Sequence, residues 1–194
     1  MTVEDIRKMI SQAHIPHGDI TRIEFVEAGA PVSFPGLPIG PAPEHIKVCV
    51  TCRPEEESNI RIEVWLPTEG WNGDLVGVGN GGAAGHILPF VMVGPLKLGF
   101  AVATTDMGTS AGPDCGIGNR AVWKDFGYRS THLMTLAAKA IVESFYGAPP
   151  KHSYFTGSST GGQQALMEAQ RYPEDYDGIL ASAPAWDRVN LHLG

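Results

Sequence analysis

The segment Ser153-Tyr-Phe-Thr-Gly-Ser-Ser-Thr-Gly-Gly162 joins a run with strand character to a run with helical character. A serine with small residues two positions before and after it is the pattern of a nucleophile elbow, a strained strand-to-helix turn that exposes the serine hydroxyl. With Ser159 at the centre the flanking residues are Gly157 and Gly161, whereas with Ser158 at the centre they are threonines. Because the passing strand and helix crowd these positions, the sequence favours Ser159 as the nucleophile.

Helical and strand patterns alternate on both sides of this turn. Apolar residues recur at helical spacing over residues 133–145, and Gly147 with the following Pro-Pro pair ends that helix. Residues 162–172 read as a second helix, and residues 176–183 read as another buried strand. The alternation predicts an α/β fold with a mostly parallel sheet, whose functional residues lie at the carboxyl ends of the strands.

The first third of the chain has weaker signals. Residues 3–14 fit a short amphipathic helix, and the Gly- and Pro-rich residues 15–43 are expected to wrap the surface. Residues 46–51 and 60–66 alternate as two strands around a polar, acidic turn, which predicts an antiparallel hairpin at the sheet edge.

Two short apolar runs, residues 75–78 and 100–104, fit central parallel strands. The first is followed by Gly77-Val-Gly-Asn-Gly-Gly-Ala-Ala-Gly85, which lacks the lysine of a phosphate-binding P-loop. An α/β-hydrolase uses such a loop to supply one N–H of an oxyanion hole, and the residue after the nucleophile, here Thr160, supplies the other. The alternative is that these glycines only form a tight turn.

Candidates for the partners of the nucleophile are poor. Asp106 follows the second of these strands, and orienting its own loop is the favoured role over catalysis. In this fold the catalytic acid and histidine follow the serine, yet His192 is the one histidine after Ser159 in the chain. His192 is therefore a weak candidate base, and equally weak candidate acids are Asp175, Asp177 and Asp187.

Composition bounds the class of protein. With 194 residues, 43% hydrophobic and 18% charged, the chain is expected to form one domain over residues 1–194 with a sizeable core. Fourteen basic and 21 acidic residues give a net charge of −7, which disfavours nucleic acid and anionic membranes as partners. The sequence shows no signal peptide or membrane span, so the expected location is the cytoplasm.

Three cysteines, Cys49, Cys52 and Cys115, cannot form a complete disulfide framework. The first two have CxxC spacing, but a zinc site needs a second pair of ligands and the redox motif precedes a helix. This pair lies in a predicted strand. No metal site is predicted, and buried or edge-strand thiols in a reducing compartment are favoured.

From about Ile60 onward, a series of motifs in a fixed order resembles the tannase and feruloyl esterase family of α/β-hydrolases. The motifs are Trp71-Asn-Gly73, Val78-Gly-Asn-Gly-Gly82, Asp125-Phe-Gly-Tyr-Arg129, Phe145-Tyr-Gly-Ala-Pro-Pro150, Gly157-Ser-Ser-Thr-Gly-Gly162, and Met167-Glu-Ala-Gln-Arg-Tyr-Pro-Glu-Asp-Tyr-Asp-Gly178 running into Ala183-Pro-Ala185. The resemblance implies hydrolysis of phenolic acid esters, feruloyl or galloyl, without a cofactor. It assigns Ser159 as nucleophile and the amides of Gly81, Gly82 and Thr160 as oxyanion donors.

The chain departs from the family in two ways. Family members usually carry a cysteine before the nucleophile, bridged to one after the catalytic histidine, but Ser158 occupies that position here. Members also continue into a lid domain and the strands that carry the catalytic acid and histidine. The 194 residues are therefore expected to be an incomplete α/β-hydrolase domain, nearly inactive alone and prone to self-association through an exposed sheet edge. Alternatives are a non-catalytic scaffold that binds a ligand or partner chain, and a general carboxylesterase or lactonase.

Overall fold

The computed structural model describes residues 3–34, 37–110 and 116–193. The strands are β1 (Gly18–Val26), β2 (Pro31–Phe34), β3 (Leu37–Pro41), β4 (His45–Cys52), β5 (Ile60–Pro67), β6 (Leu75–Val78), β7 (Ala101–Thr105), β8 (Ser153–Ser158) and β9 (Gly178–Ser182). The helices are α1 (Val3–Ile10), α2 (Pro89–Lys97), α3 (Arg120–Lys124), α4 (Ser130–Tyr146), α5 (Thr160–Arg171) and α6 (Arg188–Leu193), with a π-helical turn at Asp125–Arg129.

Within these ranges, seven strands form one sheet in the order β1-β4-β5-β7-β6-β8-β9, and β2 and β3 form a separate hairpin. Strands β7, β6, β8 and β9 are parallel, with helices between strands that follow each other in the chain. Strands β1, β4, β5 and β7 pair antiparallel. The predicted α/β class and the predicted central strands are confirmed, and the parallel strands bring the loops after β6 and β8 to one edge.

Apolar side chains of β5 alternate between the two faces of the sheet and enter two different cores. Ile62 packs on one face in a core that includes Ile141 of α4. Trp65 packs on the other face with Met92 of α2. In the part of the chain that the structure describes, no helix is both long and apolar enough to cross a membrane.

Two predictions about the sheet edges need correction. The predicted hairpin is present as β4 and β5, but β1 pairs along the whole of β4, so the hairpin is not at the edge. Residues 15–43 were expected to wrap the surface, yet β1 lies within them. A register shift between Ile20 and Arg22 interrupts the alternation of β1, and Ile23 is the one buried residue of that strand. The sequence of β1 therefore lacks the regular period-two alternation that would predict a strand.

Strand β9 is shorter and more exposed than the buried strand predicted over residues 176–183. Among the described strands, β9 pairs with β8 alone and forms the other edge of the sheet. Its Leu180 is 65% exposed.

Three glycines let strands β6 and β8 meet helix α5 at backbone distance. A Cβ atom on Gly157 would lie 2.3 Å from the Gly161 carbonyl oxygen, and a Cβ on Gly79 would lie 2.5 Å from the Gly161 Cα. These separations are far below van der Waals contact, and the opposing atoms are backbone. Glycine is therefore required at Gly157, the first small residue of the elbow pattern, and a Cβ on Gly161, the second, would be crowded at 3.1 Å from the Asn80 carbonyl oxygen.

We expect Gly157→Ala to lower the free energy of unfolding by about 3 kcal/mol or more, because overpacking usually costs about 1–3 kcal/mol and backbone atoms have little room to yield. Urea denaturation measures this change. The matched control is Gly94→Ala in α2, where an added Cβ meets nothing within 4 Å. Equal stability of Gly157→Ala and the unchanged protein would contradict the packing argument.

Candidate active site

Ser159 occupies the junction between β8 and α5 with φ 60° and ψ −117°. A positive φ is uncommon for a residue with a side chain and costs on the order of 1–3 kcal/mol. Hydrogen bonds hold this conformation: the Ser159 N–H donates to the Ser182 carbonyl at 3.1 Å, and the Ser159 carbonyl accepts from the Ala185 N–H at 2.9 Å. Ser158 is instead the last residue of β8. The strained residue of the turn is therefore Ser159.

Ser159 lines a cavity of about 550 Å³. The glycine-rich loop after β6 contributes Gly82 to the same cavity. Much of the remaining wall is apolar and comes from Ile117, Val122, Trp123, Phe126 and Leu191. The cavity therefore joins an exposed hydroxyl to a surface suited to an aromatic or aliphatic group.

The backbone amides beside this cavity differ in their hydrogen bonding. The Gly81 N–H donates to Asn80 Oδ1 at 3.0 Å, and the Gly161 N–H donates to the Asn80 carbonyl at 2.7 Å. The N–H groups of Gly82 and Thr160 have no partner among the described residues. Of the three amides that the family resemblance implied as oxyanion donors, Gly82 and Thr160 are therefore available, and Gly81 is already occupied.

The hydroxyl of Thr160 ties the glycine-rich loop to the start of α5. Thr160 Oγ1 donates to the Gly82 carbonyl at 2.6 Å and accepts from Arg188 Nη2 at 2.8 Å. Arg188 also donates to Gln163 Oε1 and lies 5.1 Å from the Phe126 ring centroid. Burial lowers the pKa of the Arg188 guanidinium from its ordinary value. Arg188 is not among the predicted site residues, because no local pattern signals a contact 28 positions away in the chain.

Asn80 and Gln164 form a buried support beneath the same loop. The Asn80 N–H donates to Gln164 Oε1 at 2.8 Å, and Asn80 Nδ2 donates to the Thr105 carbonyl at 2.7 Å. Gln164 Nε2 in turn donates to Thr131 Oγ1 at 2.9 Å. Asn80 belongs to one of the motifs quoted above, but no local pattern indicates that it connects its loop to α5 and β7.

Asp106 orients a loop, the role that the sequence analysis favoured. Its carboxylate is 1% exposed, accepts from the backbone N–H groups of Arg61 and Gly108 at 2.9 Å each, and pairs with Arg61 Nε at 2.6 Å. Both oxygens are therefore satisfied by structural partners.

Within the described part of the chain, no histidine lines the cavity and no partner is found for the Ser159 hydroxyl. The side chain of His192 lies outside the described residues. The aspartates considered as catalytic acids are engaged elsewhere: Asp175 with His132, Asp177 with the Ser153 N–H, and Asp187 with Asn190. The base and acid are thus not assembled at Ser159 by these residues.

Cys49 and Cys52 are free thiols on β4. Residues three apart on a strand point to opposite faces, so this pair cannot chelate one metal ion. Burial raises the pKa of Cys52 to about 11, which keeps it in the unreactive thiol form. Cys115 lies outside the described residues.

The sheet order, the crossover helices and the serine turn define an α/β-hydrolase. The profile of the family described as "Tannase and feruloyl esterase" matches residues 46–193. The chain belongs to this family.

Individual comparisons agree with this placement. A probable feruloyl esterase of Arthroderma benhamiae is 42% identical over 135 residues, covering 64% of this chain and 25% of that protein. A probable feruloyl esterase B-2 of Aspergillus flavus is 35% identical over 87% of this chain and 34% of its own length. The crystal structure of feruloyl esterase B from Aspergillus oryzae superposes with a TM-score of 0.85 at 28% identity, covering 97% of this chain and 38% of that one. The chain spans about a quarter to a third of the curated relatives it matches.

We expect Asp106→Ala to lower the free energy of unfolding by about 2–3 kcal/mol, because it removes hydrogen bonds in which a charged group accepts. Thermal or urea denaturation measures the loss. Glu56→Ala is the control, since this exposed acid belongs to the β4–β5 turn and its removal is expected to change stability by less than about 0.5 kcal/mol. Similar losses in both variants would argue against a specific role of Asp106.

Proposed function

We propose that this chain is the nucleophile-bearing part of a serine carboxylic ester hydrolase that acts on phenolic acid esters of the feruloyl or galloyl type. The observation that carries the proposal is the turn at Ser159, a strained residue beside an apolar cavity and next to two amides for which the described residues offer no partner. Ser159 is the nucleophile, and the N–H groups of Gly82 and Thr160 form the oxyanion hole.

The chemistry follows from these positions. Ser159 Oγ loses its proton to a general base as it forms a bond with the ester carbonyl carbon. The carbonyl oxygen becomes an oxyanion, and the Gly82 and Thr160 amides stabilise it because they point a fixed partial positive charge at it. As this intermediate collapses, the base gives the proton to the leaving alkoxide oxygen, the neutral alcohol departs, and the acyl group stays on Ser159. Water then attacks the acyl-enzyme, releases the carboxylic acid and restores the serine.

The general base is proposed to come from outside the described side chains. No imidazole among them lines the cavity. The chain also spans only about a quarter to a third of its curated relatives. We therefore expect the catalytic histidine, and the acid that orients it, to belong to the rest of the natural reading frame.

The proposed acyl group is aromatic. Ile117 and Trp123, which line the cavity, are 77% and 61% exposed, so their apolar surface is available to a planar ring. Relatives that this chain matches carry the name feruloyl esterase. These two lines of support favour a feruloyl-type ester over a short aliphatic one.

Self-association of the chain by itself is a further part of the proposal. Leu180 of β9 is 65% exposed at a sheet edge, and Trp186 and Val189 nearby in the chain are 70% and 68% exposed. Edge strands with exposed apolar residues pair readily with other chains.

The first functional test compares the full natural reading frame that contains this chain with its Ser159→Ala variant on methyl ferulate and methyl gallate. We expect Ser159→Ala to lower kcat/KM by about four powers of ten or more, as removal of a triad serine does. The 194-residue chain alone is expected to be nearly inactive.

Ser158→Ala is the matched control, because Ser158 is adjacent but lies in the strand, and it is expected to retain activity. A fluorophosphonate probe should label Ser159 in the active protein. A folded full-length protein that neither hydrolyses these esters nor reacts with the probe would favour the non-catalytic scaffold. Preference for p-nitrophenyl acetate over both aromatic esters would favour a general carboxylesterase.

A second test addresses the tie between Thr160 and the glycine-rich loop. Thr160→Val keeps the shape of the side chain but removes its bonds to the Gly82 carbonyl and to Arg188. Since loss of one oxyanion donor costs about 10²–10³ in kcat, we expect misplacement of the Gly82 donor to lower kcat by about tenfold or more with little change in KM. Thr160→Ser retains the hydroxyl and should keep most of the activity. Equal kcat values for the two variants would show that the tie does not matter.

A further inference from the structure

A second cluster of reactive side chains lies away from Ser159. His132 of α4, Glu168 of α5 and Asp175, in the loop before β9, place one ligand-type atom each within 4.8 Å of the others. Glu168 is eight residues beyond Thr160 in the same helix, which is about 12 Å along the helix axis. The cluster is therefore separate from the serine turn.

Glu168 is the unusual member of this cluster. It is 0% exposed, and neither oxygen of its carboxylate has a hydrogen-bond partner among the residues that the structure describes. No lysine or arginine in the described ranges forms an ion pair with Glu168 or Asp175. A buried carboxylate without partners is strongly unfavourable, and a second carboxylate beside it adds repulsion. The pair therefore requires a cation or a proton.

The third member, His132, supplies a nitrogen donor and a route to solvent. Its Nδ1 lies 2.6 Å from Asp175 Oδ2, and its side chain is 24% exposed. The Tyr172 ring stacks on the imidazole at a centroid distance of 3.9 Å and fixes the plane of the ring. His132 is therefore the member of the cluster nearest to solvent.

We propose that His132, Glu168 and Asp175 bind one divalent transition-metal ion of the Zn²⁺ type, which braces α4, α5 and the loop before β9. One imidazole nitrogen and two carboxylates suit Zn²⁺ or Mn²⁺, and Zn²⁺ is the tighter binder in the general order of affinities. Ligands around Zn²⁺ at about 2.0–2.2 Å lie roughly 3.3–3.5 Å apart. The three atoms, which lie within 4.8 Å of one another, would move to that spacing on binding, and the His132–Asp175 hydrogen bond would be exchanged for two bonds to the metal.

The competing arrangement is a shared proton. Burial and the neighbouring Asp175 raise the pKa of Glu168 well above its usual range, so a protonated Glu168 beside Asp175 is the alternative that the experiment must exclude. The two arrangements differ in metal content and in the effect of Glu168→Gln, which mimics the protonated form but binds metal poorly.

The test uses the full natural reading frame with any affinity tag removed. The protein is stripped with EDTA, incubated with ZnCl₂, separated by gel filtration and analysed by inductively coupled plasma mass spectrometry and calorimetric titration. We expect the unchanged protein to retain one more Zn²⁺ per chain than Glu168→Gln or His132→Gln. We also expect each substitution to weaken Zn²⁺ binding at this site by about 100-fold. Loss of a residue that only supports a metal ligand already weakens binding by up to about 100-fold.

His152→Gln is the matched control, because His152 also pairs with an aspartate, Asp74, but is exposed and lacks a third ligand. It should keep the full Zn²⁺ content. Thermal denaturation adds a readout independent of activity, since Zn²⁺ should raise the Tm of the unchanged protein and of His152→Gln, and leave the Tm of Glu168→Gln unchanged.

Should Glu168→Gln fail to fold, the Zn²⁺ content of His132→Gln, at a partly exposed position, decides between the metal and the shared proton. Equal Zn²⁺ content in all variants would overturn the proposal in favour of the shared proton. The same conclusion would follow if Glu168→Gln and the unchanged protein had equal Tm values both in the presence and in the absence of Zn²⁺. Loss of the metal site would leave the Ser159 labelling test unaffected.

Discussion

The near-contact of three backbones at Gly79, Gly157 and Gly161 is the constraint on which the site depends. Side chains at these positions would separate β6, β8 and α5. At the observed separation, the Gly161 N–H reaches the Asn80 carbonyl and the Thr160 hydroxyl reaches the Gly82 carbonyl. The loop after β6 and the turn after β8 therefore form one rigid unit. Its Gly82 and Thr160 amides, which have no partner among the described residues, are fixed relative to Ser159.

Rigidity also explains how an unfavourable conformation is retained. Ser159 has a positive φ that its side chain disfavours, yet its N–H and carbonyl bond to Ser182 and Ala185 on the neighbouring strand and loop. Each of these hydrogen bonds contributes about 1 kcal/mol. Together the two bonds offset the backbone strain at Ser159, which is of similar size. Groups fixed before a substrate arrives need no reorganisation during reaction, and this is the main advantage of such a turn for ester chemistry.

The features that could not be predicted from the sequence all depend on residues that are far apart in the chain. Strand β1 escaped detection because a register shift breaks its alternation and its stability comes from pairing with β4. Arg188 donates a hydrogen bond to Thr160, 28 positions away in the chain, and His132 contacts Asp175, 43 positions away. Neither contact leaves a local pattern, since a side chain's partner on another element is set by how the elements pack.

The sequence by itself determined the order of helix, strand, turn, helix and strand from α4 to β9, the end of α4 at Gly147 and the position of the strained turn at Ser159. Those features are encoded by hydrophobic spacing and by glycines at fixed intervals, which act locally. Only the tertiary structure decided which amides lack an acceptor: the Gly81 N–H donates to Asn80 Oδ1, whereas the Gly82 N–H has no partner among the described residues. It also brought Glu168 beside Asp175, since the burial of a carboxylate depends on everything that packs around it.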